Sequence, residues 1–340
     1  MTHVRDRQLS EAERKRLEKF KNTRGRKNPA KIPARLARTS AFAPKKTRLI
    51  TDSKFERLYV VPGQSVIKVS GRELGTQHRD TIYALFRLPH RTQTVNRPSH
   101  GLPWSTIYET QTTWRGLLTA MGRTAHTNNL MTLMDVFEDI KKVVFTIFEG
   151  DHKAIVDAYR KGDLASLGRQ GKGGMGSLIE SIEWNGLELD SEVVIRYGDW
   201  SAAMMHRAKL VSLNADVQFE LKSDYAKTFW PYIDSMNNHH YVDEDVLAAL
   251  AGRDLWDEGE DKLTRGQFRR ETKKAFEDMV RASGLSSYSV EEIGVGRRKS
   301  RRYSYVVAYA NQAETDARVV QEAPPPPPSV DGRPQLELKI

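Results

Sequence analysis

One order of elements occurs twice in this chain, and few folds accommodate it. In the second half, residues 223–238 (SDYAKTFWPYIDSMNN) put Tyr225, Phe229, Trp230 and Ile233 on one face of a helix, with Pro231 inside it as a kink. Residues 242–252 read as a second, short helix ending at Gly252. A longer helix over 263–284 follows, with Phe268, Ala275, Phe276, Met279 and Val280 as its buried stripe. Residues 288–309 read as two strands joined by a basic loop. In the first half, 110–121 reads as a short amphipathic helix closed by Gly122. Leu130, Leu133, Met134, Phe137 and Ile140 then recur at helical spacing. From Val143 the residues turn β-branched and aromatic, so that this second helix passes into a strand.

Helix, turn, helix, strand is the order of a winged helix. Two of them in tandem make an α+β fold, with 49–215 as the first domain and 216–310 as the second. Around this frame, 55–61 (FERLYVV) has strand composition, Pro62-Gly63 marks a turn, and 65–71 continues as a strand. Residues 76–88 are helical, with Ile82, Leu85, Phe86 and Leu88 on one face, and 89–103 hold three prolines and read as a loop. Residues 161–176 are a Gly-rich loop, Asn185-Gly186 turns a hairpin, and 199–208 form a short helix. Residues 1–48 read as a basic disordered arm, with a short helix over 11–21 started by the Ser10/Glu13 capping box. Residues 311–340 are a Pro-rich tail with five consecutive prolines at 324–328.

Charge is unevenly placed on this plan. The net charge is +10, but residues 1–50 hold 16 Lys or Arg against 4 Asp or Glu, so the remainder is slightly acidic. A second island at 262–308 carries 12 Lys or Arg against 5 Asp or Glu. Two basic islands on a mildly acidic body point to two contact surfaces for an acidic polymer, and the alternative for the first is a solubilising tail. The absence of cysteine excludes a disulfide scaffold, a thiolate metal site, an Fe–S cluster and a Cys nucleophile. No run of 18 apolar residues occurs and the N-terminus is charged, so neither a membrane span nor a secretory signal is expected. The expectation is a soluble, cytoplasmic protein.

The 263–284 helix carries Arg265, Gln267, Arg269, Arg270, Lys273 and Lys274 toward its N-terminal half. A recognition helix enters the major groove with that half, where Gln reads adenine and Arg reads guanine through paired hydrogen bonds. Arg297, Arg298, Lys299, Arg301 and Arg302 follow between the two strands, as a wing placed to grip phosphates. The alternative is a solvated helix face and a charged hairpin tip. In the first domain, Arg123, Thr124, His126, Thr127, Asn128 and Asn129 are polar residues able to touch phosphates or base edges, or equally to form a hydrogen-bonded N-cap turn. The 168–177 segment GRQGKGGMGS does not fit a phosphate loop, because Lys172 is followed by Gly173. His239-His240-Tyr241 lacks the spacing of a metal-dependent nicking site. No catalytic constellation stands out, and a binding protein rather than an enzyme is expected.

With these residues in view, the chain resembles the plasmid replication initiators built from two winged-helix domains, nearest the TrfA-type broad-host-range initiators. The likeness rests on ARTSAFAPKK (37–46) with SGRELGTQHRDTIYALFRL (70–88), on GSLIESIEW (176–184), and on LKSDYAKTFWPYIDSM (221–236) through 268–309. The resemblance implies binding to direct repeats in double-stranded origin DNA and opening of an adjacent A·T-rich duplex. It implies recruitment of host replication proteins, among them the sliding clamp, the replicative helicase and the host initiator. It further implies a plasmid- and nucleoid-associated location, a homodimer that represses transcription beside an initiating monomer, and no cofactor or metal. Gln335, Leu336, Leu338 and Ile340 resemble the sliding-clamp-binding peptide of bacterial replication proteins, held off the body by the proline run as a spacer. Lys339 interrupts the usual pattern. A DNA-binding repressor without a replication role uses the same helix and wing; the tail separates the two readings.

Overall fold

The computed structural model describes residues 30–39, 41–61, 65–95, 105–163, 172–198, 201–202, 210–236, 240–252, 265–294 and 299–308. Two large hydrophobic cores organise them, beside a small cluster of Val66, Ile155 and Ala158. The first gathers residues from Ala30 to Ala215 and the second residues from Val217 to Tyr305.

The second core is the simpler. Helix Asp224–Ser235 leads to strand β11 (Tyr241–Asp243), helix Glu244–Leu250, helix Arg265–Arg281, and strands β12 (Leu285–Ile293) and β13 (Ser300–Val307). The sheet is antiparallel, in the order β11-β13-β12. The first core repeats this plan with helix Thr76–Arg87, strand β5 (Ser105–Thr113), helix Trp114–Ala120, helix Thr127–Lys141, and strands β8 (Ile179–Trp184) and β9 (Glu192–Tyr197). Its sheet runs β5-β9-β8, the same first-third-second order, with an extra strand β4 (Arg91–Val95) hairpinned onto β5. Two winged helices in tandem are therefore present, as the recurring order of elements leads one to expect.

The first unit departs from the sequence reading in where its strands go. The VVFTIF strand does follow its helix, as β6 (Val144–Glu149), but it is not a wing strand. It joins a second antiparallel sheet in the order β2-β3-β6-β7, with β2 (Glu56–Val61), β3 (Ser65–Ser70) and β7 (Lys172–Gly176). The wing strands come some thirty residues later. The end of the Gly-rich segment is not loop but strand β7. Glycine is required there because a Cβ on Gly173 would lie 2.2 Å from the Ile147 carbonyl oxygen. The TQTT segment expected as helix closes β5, whose threonines suit a strand, and the helix begins at Trp114 with Thr113 as its cap.

The basic arm needs a larger correction. Residues 30–48 are not a disordered arm: Ala30–Pro33 form β1, paired antiparallel with β10 (Leu210–Leu213), and a helical turn follows at Ala34–Ala37. Ala30, Ile32, Leu36, Ala41 and Phe42 are buried in the first core. The high Lys and Arg count masks this alternation of small apolar residues. The cations mostly face outward or find partners, as Lys45 does 2.7 Å from the buried Glu73. Residues 1–29, including the 11–21 helix, lie outside the described residues, as do nearly all of 199–208 and the tail from 309 onward.

The two units meet across a buried polar joint. Asp80 pairs with Lys227, and Gln218 donates to Asp80 at 3.0 Å. The Arg79 guanidinium donates to the carbonyls of Lys227 (2.9 Å) and Phe42 (3.0 Å), and Thr76 donates to Asp224 at 2.9 Å. Asp80, Lys227 and two Arg79 nitrogens are paired, as buried ionic groups require, while Arg79 Nε and Gln218 Oε1 are buried without a partner among the described residues. Among the described residues, no helix is long and apolar enough to cross a membrane.

Candidate nucleic-acid interface

Helix Arg265–Arg281 is seated by its apolar stripe. Phe268, Ala275, Phe276 and Met279 are fully buried, Thr272 lies between them, and Val280 is partly exposed. Phe276 stacks on Tyr303 of β13 at 4.9 Å, and Phe268 meets Tyr225 and Phe229 edge-on at 6.0 and 6.5 Å. At the far end, Asp278 accepts the backbone N–H groups of Lys222 (2.7 Å) and Ser223 (2.8 Å). Gly284 then lets the chain pass against Trp230, whose ring would lie 2.7 Å from a Cβ at that position. The helix is thus fixed along its length, and its opposite face is exposed.

That face presents Gln267, Arg270, Lys273 and Lys274, all exposed and spread over two helical turns. Arg270 has no hydrogen-bond or ion-pair partner among the described residues. Lys273 lies 3.8 Å from Glu277 and Lys274 2.9 Å from Glu271, both surface pairs within the helix that are easily exchanged for a phosphate. Arg265 and Arg269 do something else. Both turn onto Glu244, the first residue of helix Glu244–Leu250 and fully buried. Arg265 donates to it at 2.8 Å, and Arg269 forms a fork at 2.6 and 2.9 Å. Burial alone would raise the Glu244 carboxyl, but the Arg269 and Arg265 guanidiniums outweigh it and hold the group below its usual range.

In the wing, Arg297 and Arg298 lie outside the described residues. Lys299 is exposed and 3.7 Å from Glu292, and the Arg301 guanidinium is 3.8 Å from the same carboxylate. Arg302 is committed to the fold. It donates to Asp243 at 2.8 and 3.2 Å and lies over the Tyr241 ring at 4.1 Å. The Asp243 hydrogen bond raises its already high pKa further.

The equivalent surface of the first unit is built differently. His126 caps its second helix by accepting the Asn128 N–H at 3.1 Å, and the Asn129 amide donates to the Thr124 carbonyl at 2.7 Å. Arg123 is half-buried, and Thr124, Thr127 and Asn128 are exposed. Along the solvent side of Thr127–Lys141 follow Met131, Thr132, Asp135 and Glu138, with cations only at Lys141 and Lys142. Its wing, 185–191, is clasped by the first turn of helix Trp114–Ala120. Trp114 Nε1 donates to the Gly186 carbonyl at 3.0 Å, the Arg115 N–H to Leu189 at 2.7 Å, and the Arg115 guanidinium to Asp190 at 2.6 and 2.9 Å. The exposed groups at its tip, Leu187 and Glu188, are apolar and acidic.

Sequence reasoning found the cations but missed Glu244, Asp243 and Tyr241, which decide what three of them do. One signal was present: Arg265 and Arg269 are four apart, on one helix face, opposite an acidic helix start. The clamp-like residues Gln335, Leu336, Leu338 and Ile340, and His239, lie outside the described residues.

No protein-family model matches the chain, and no curated protein matches it. Among solved structures, one of RctB domains 2-3 is 13% identical with a TM-score of 0.44, over 80% of this chain and 97% of that one. A selenomethionine structure of domains 2 and 3 of RctB is 12% identical with a TM-score of 0.48, over 81% and 98%. The Pi initiator protein in complex with iteron DNA is 11% identical with a TM-score of 0.45, over 68% and 90%. At this distance the description of the fold rests on the element order and sheet topology of the chain itself.

Proposed function

We propose that this chain is a sequence-specific double-stranded DNA-binding protein, acting as an initiator at repeated sites of a plasmid replication origin. One observation carries the DNA-binding part. The second winged helix exposes Gln267, Arg270, Lys273 and Lys274 on a helix anchored along its length, beside a wing bearing Lys299 and Arg301. Such a helix reads base edges, and such a wing contacts phosphates and fixes the register. The first unit, with a neutral-to-acidic helix face and a clasped wing, contributes architecture and at most a few polar contacts from Thr124, Thr127 and Asn128. The chain acts by binding rather than catalysis, without cofactor or metal, in the cytoplasm.

The replication role rests on the resemblance of residues 37–46, 70–88, 176–184 and 221–309 to the plasmid initiators with two winged-helix domains. Opening of A·T-rich DNA, dimerisation, and recruitment of the replicative helicase and host initiator belong to the same proposal. So does clamp binding through Gln335, Leu336 and Leu338. A peptide of residues 326–340 is expected to bind a bacterial sliding clamp in a fluorescence titration. Its variant with those three residues changed to Ala is expected not to bind. Equal or absent binding by both removes the clamp from the proposal.

The test of the function has two steps. Wild-type protein is used to enrich duplexes from a random library, and a plasmid carrying the enriched site as spaced direct repeats is followed with the gene supplied in trans. Enrichment of one motif and gene-dependent retention of the plasmid are expected. Enrichment without retention fits a repressor instead, and no enrichment contradicts the proposal.

A further inference from the structure

We infer that Glu244 is the positioning residue of the DNA-reading surface, locking recognition helix and wing into one geometry, and that Arg265 and Arg269 serve this lock rather than DNA. The inference rests on the second winged helix being the DNA reader. One buried carboxylate gathers three elements. It belongs to the first turn of Glu244–Leu250, it accepts Arg265 and Arg269 from the first two turns of the recognition helix, and its Oε2 accepts the backbone N–H of Arg301 on β13 at 3.1 Å. Arg269 extends the link, donating from Nη2 to the Lys299 carbonyl at 2.9 Å, at the root of the wing loop. The N-terminal half of the helix, which enters the groove, and the wing root, which meets phosphate, are therefore tied to each other through Glu244.

Two physical arguments keep the arginines there. Swinging either one to a phosphate would leave the Glu244 carboxylate buried and under-paired, which is costly. Direct readout also tolerates little displacement, and constellations of this kind work when supporting groups hold them to within about 0.5 Å. Arg270, adjacent in sequence and exposed, is free to read because Arg269 is not.

The test uses the full chain with Glu244→Gln and Arg269→Lys. The first removes the negative charge at constant shape, and the second keeps the positive charge but loses the fork and the reach to Lys299. The probes are the duplex that wild-type protein enriches from a random library and an unrelated duplex of equal length. Both variants are expected to lower the ratio of the two affinities by on the order of tenfold. Arg269→Lys is expected to keep the wild-type salt dependence on the unrelated duplex. Without DNA, amide exchange at 265–269 and at 299–302 is expected to quicken together in both variants. A wild-type affinity ratio in both variants, or unchanged exchange at 299–302, overturns the inference. If Glu244→Gln does not fold, Arg269→Lys decides by the same readouts. If wild-type protein enriches no duplex, the proposed function falls, and the exchange measurement still judges the lock.

Discussion

Arg269 and Arg270 are neighbours in sequence, but only the first is engaged by the fold. Arg269 pairs with a buried carboxylate, and Arg270 stands exposed to solvent. Composition and helical periodicity located both, and they also placed Lys273 and Lys274 correctly on an exposed face. They could not separate the two arginines, because the acceptor lies 25 residues away, beyond any local spacing rule. The same limit applies to Arg302, whose partner Asp243 is 59 residues distant. The Glu244 pairing has a pH signature. Its carboxyl is held below the usual range in the folded state, so its contribution to stability is whole above the ordinary glutamate range. That contribution is lost as pH falls through the depressed folded value. In urea unfolding, the stability difference between wild type and Glu244→Gln is expected to be constant from pH 7 to about 5 and to shrink below that. A difference that grows on acidification contradicts the assignment.

At the scale of elements, the two wings share a topology and differ in their chemistry. Wing one is hydrogen-bonded to helix Trp114–Ala120 and carries Glu188 and Asp190. Wing two has Lys299 exposed next to the start of β13 and Arg301 within that strand. Neutralising Arg297, Arg298, Lys299 and Arg301 is expected to lower the slope of log affinity against log salt by about one unit for each phosphate contact removed. Arg302→Gln is expected to leave that slope unchanged, because Arg302 is held by Asp243 and Tyr241. Equal slope changes from both sets would show that Arg302 also faces the DNA. The wings themselves were legible. Asn185-Gly186 marked the first turn, and paired β-rich runs marked the second. Strand pairing was not legible. β6 looks like any strand next to a helix, yet it pairs with β3, some eighty residues earlier. β7 hides because glycine is a poor strand former, and only the close approach to Ile147 explains it.

Among the described residues, two winged helices are joined across a buried ion pair, Asp80 with Lys227, with the segment from Ala30 woven into the first core and reaching the second unit. Arg38 donates to the Ser235 carbonyl at 2.9 Å and to its hydroxyl at 3.0 Å. The tandem plan was readable because hydrophobic periodicity is local and was repeated. The role of residues 30–48 was not, because net charge obscured a short buried run. Truncation separates these parts. Removing residues 1–29 takes away ten Lys or Arg but none of the described core. It is expected to leave thermal unfolding nearly unchanged while weakening DNA binding mostly at low salt. Removing 1–48 also strips Ile32, Leu36 and Phe42 from the core, and is expected to destabilise by several kcal/mol, since each large apolar deletion costs about 2–5. Equal melting of the two truncations contradicts the packing described. The central claim, that the molecule meets DNA through its second winged helix, is tested most directly by titrating wild type and the Gln267→Ala/Arg270→Ala double variant. Each is measured against the wild-type-enriched duplex and an unrelated one. The expected result is a loss of about 1–3 kcal/mol per base contact on the enriched duplex, with affinity for the unrelated duplex and thermal stability nearly unchanged. A double variant that keeps wild-type affinity and discrimination would show that this helix is not the reader.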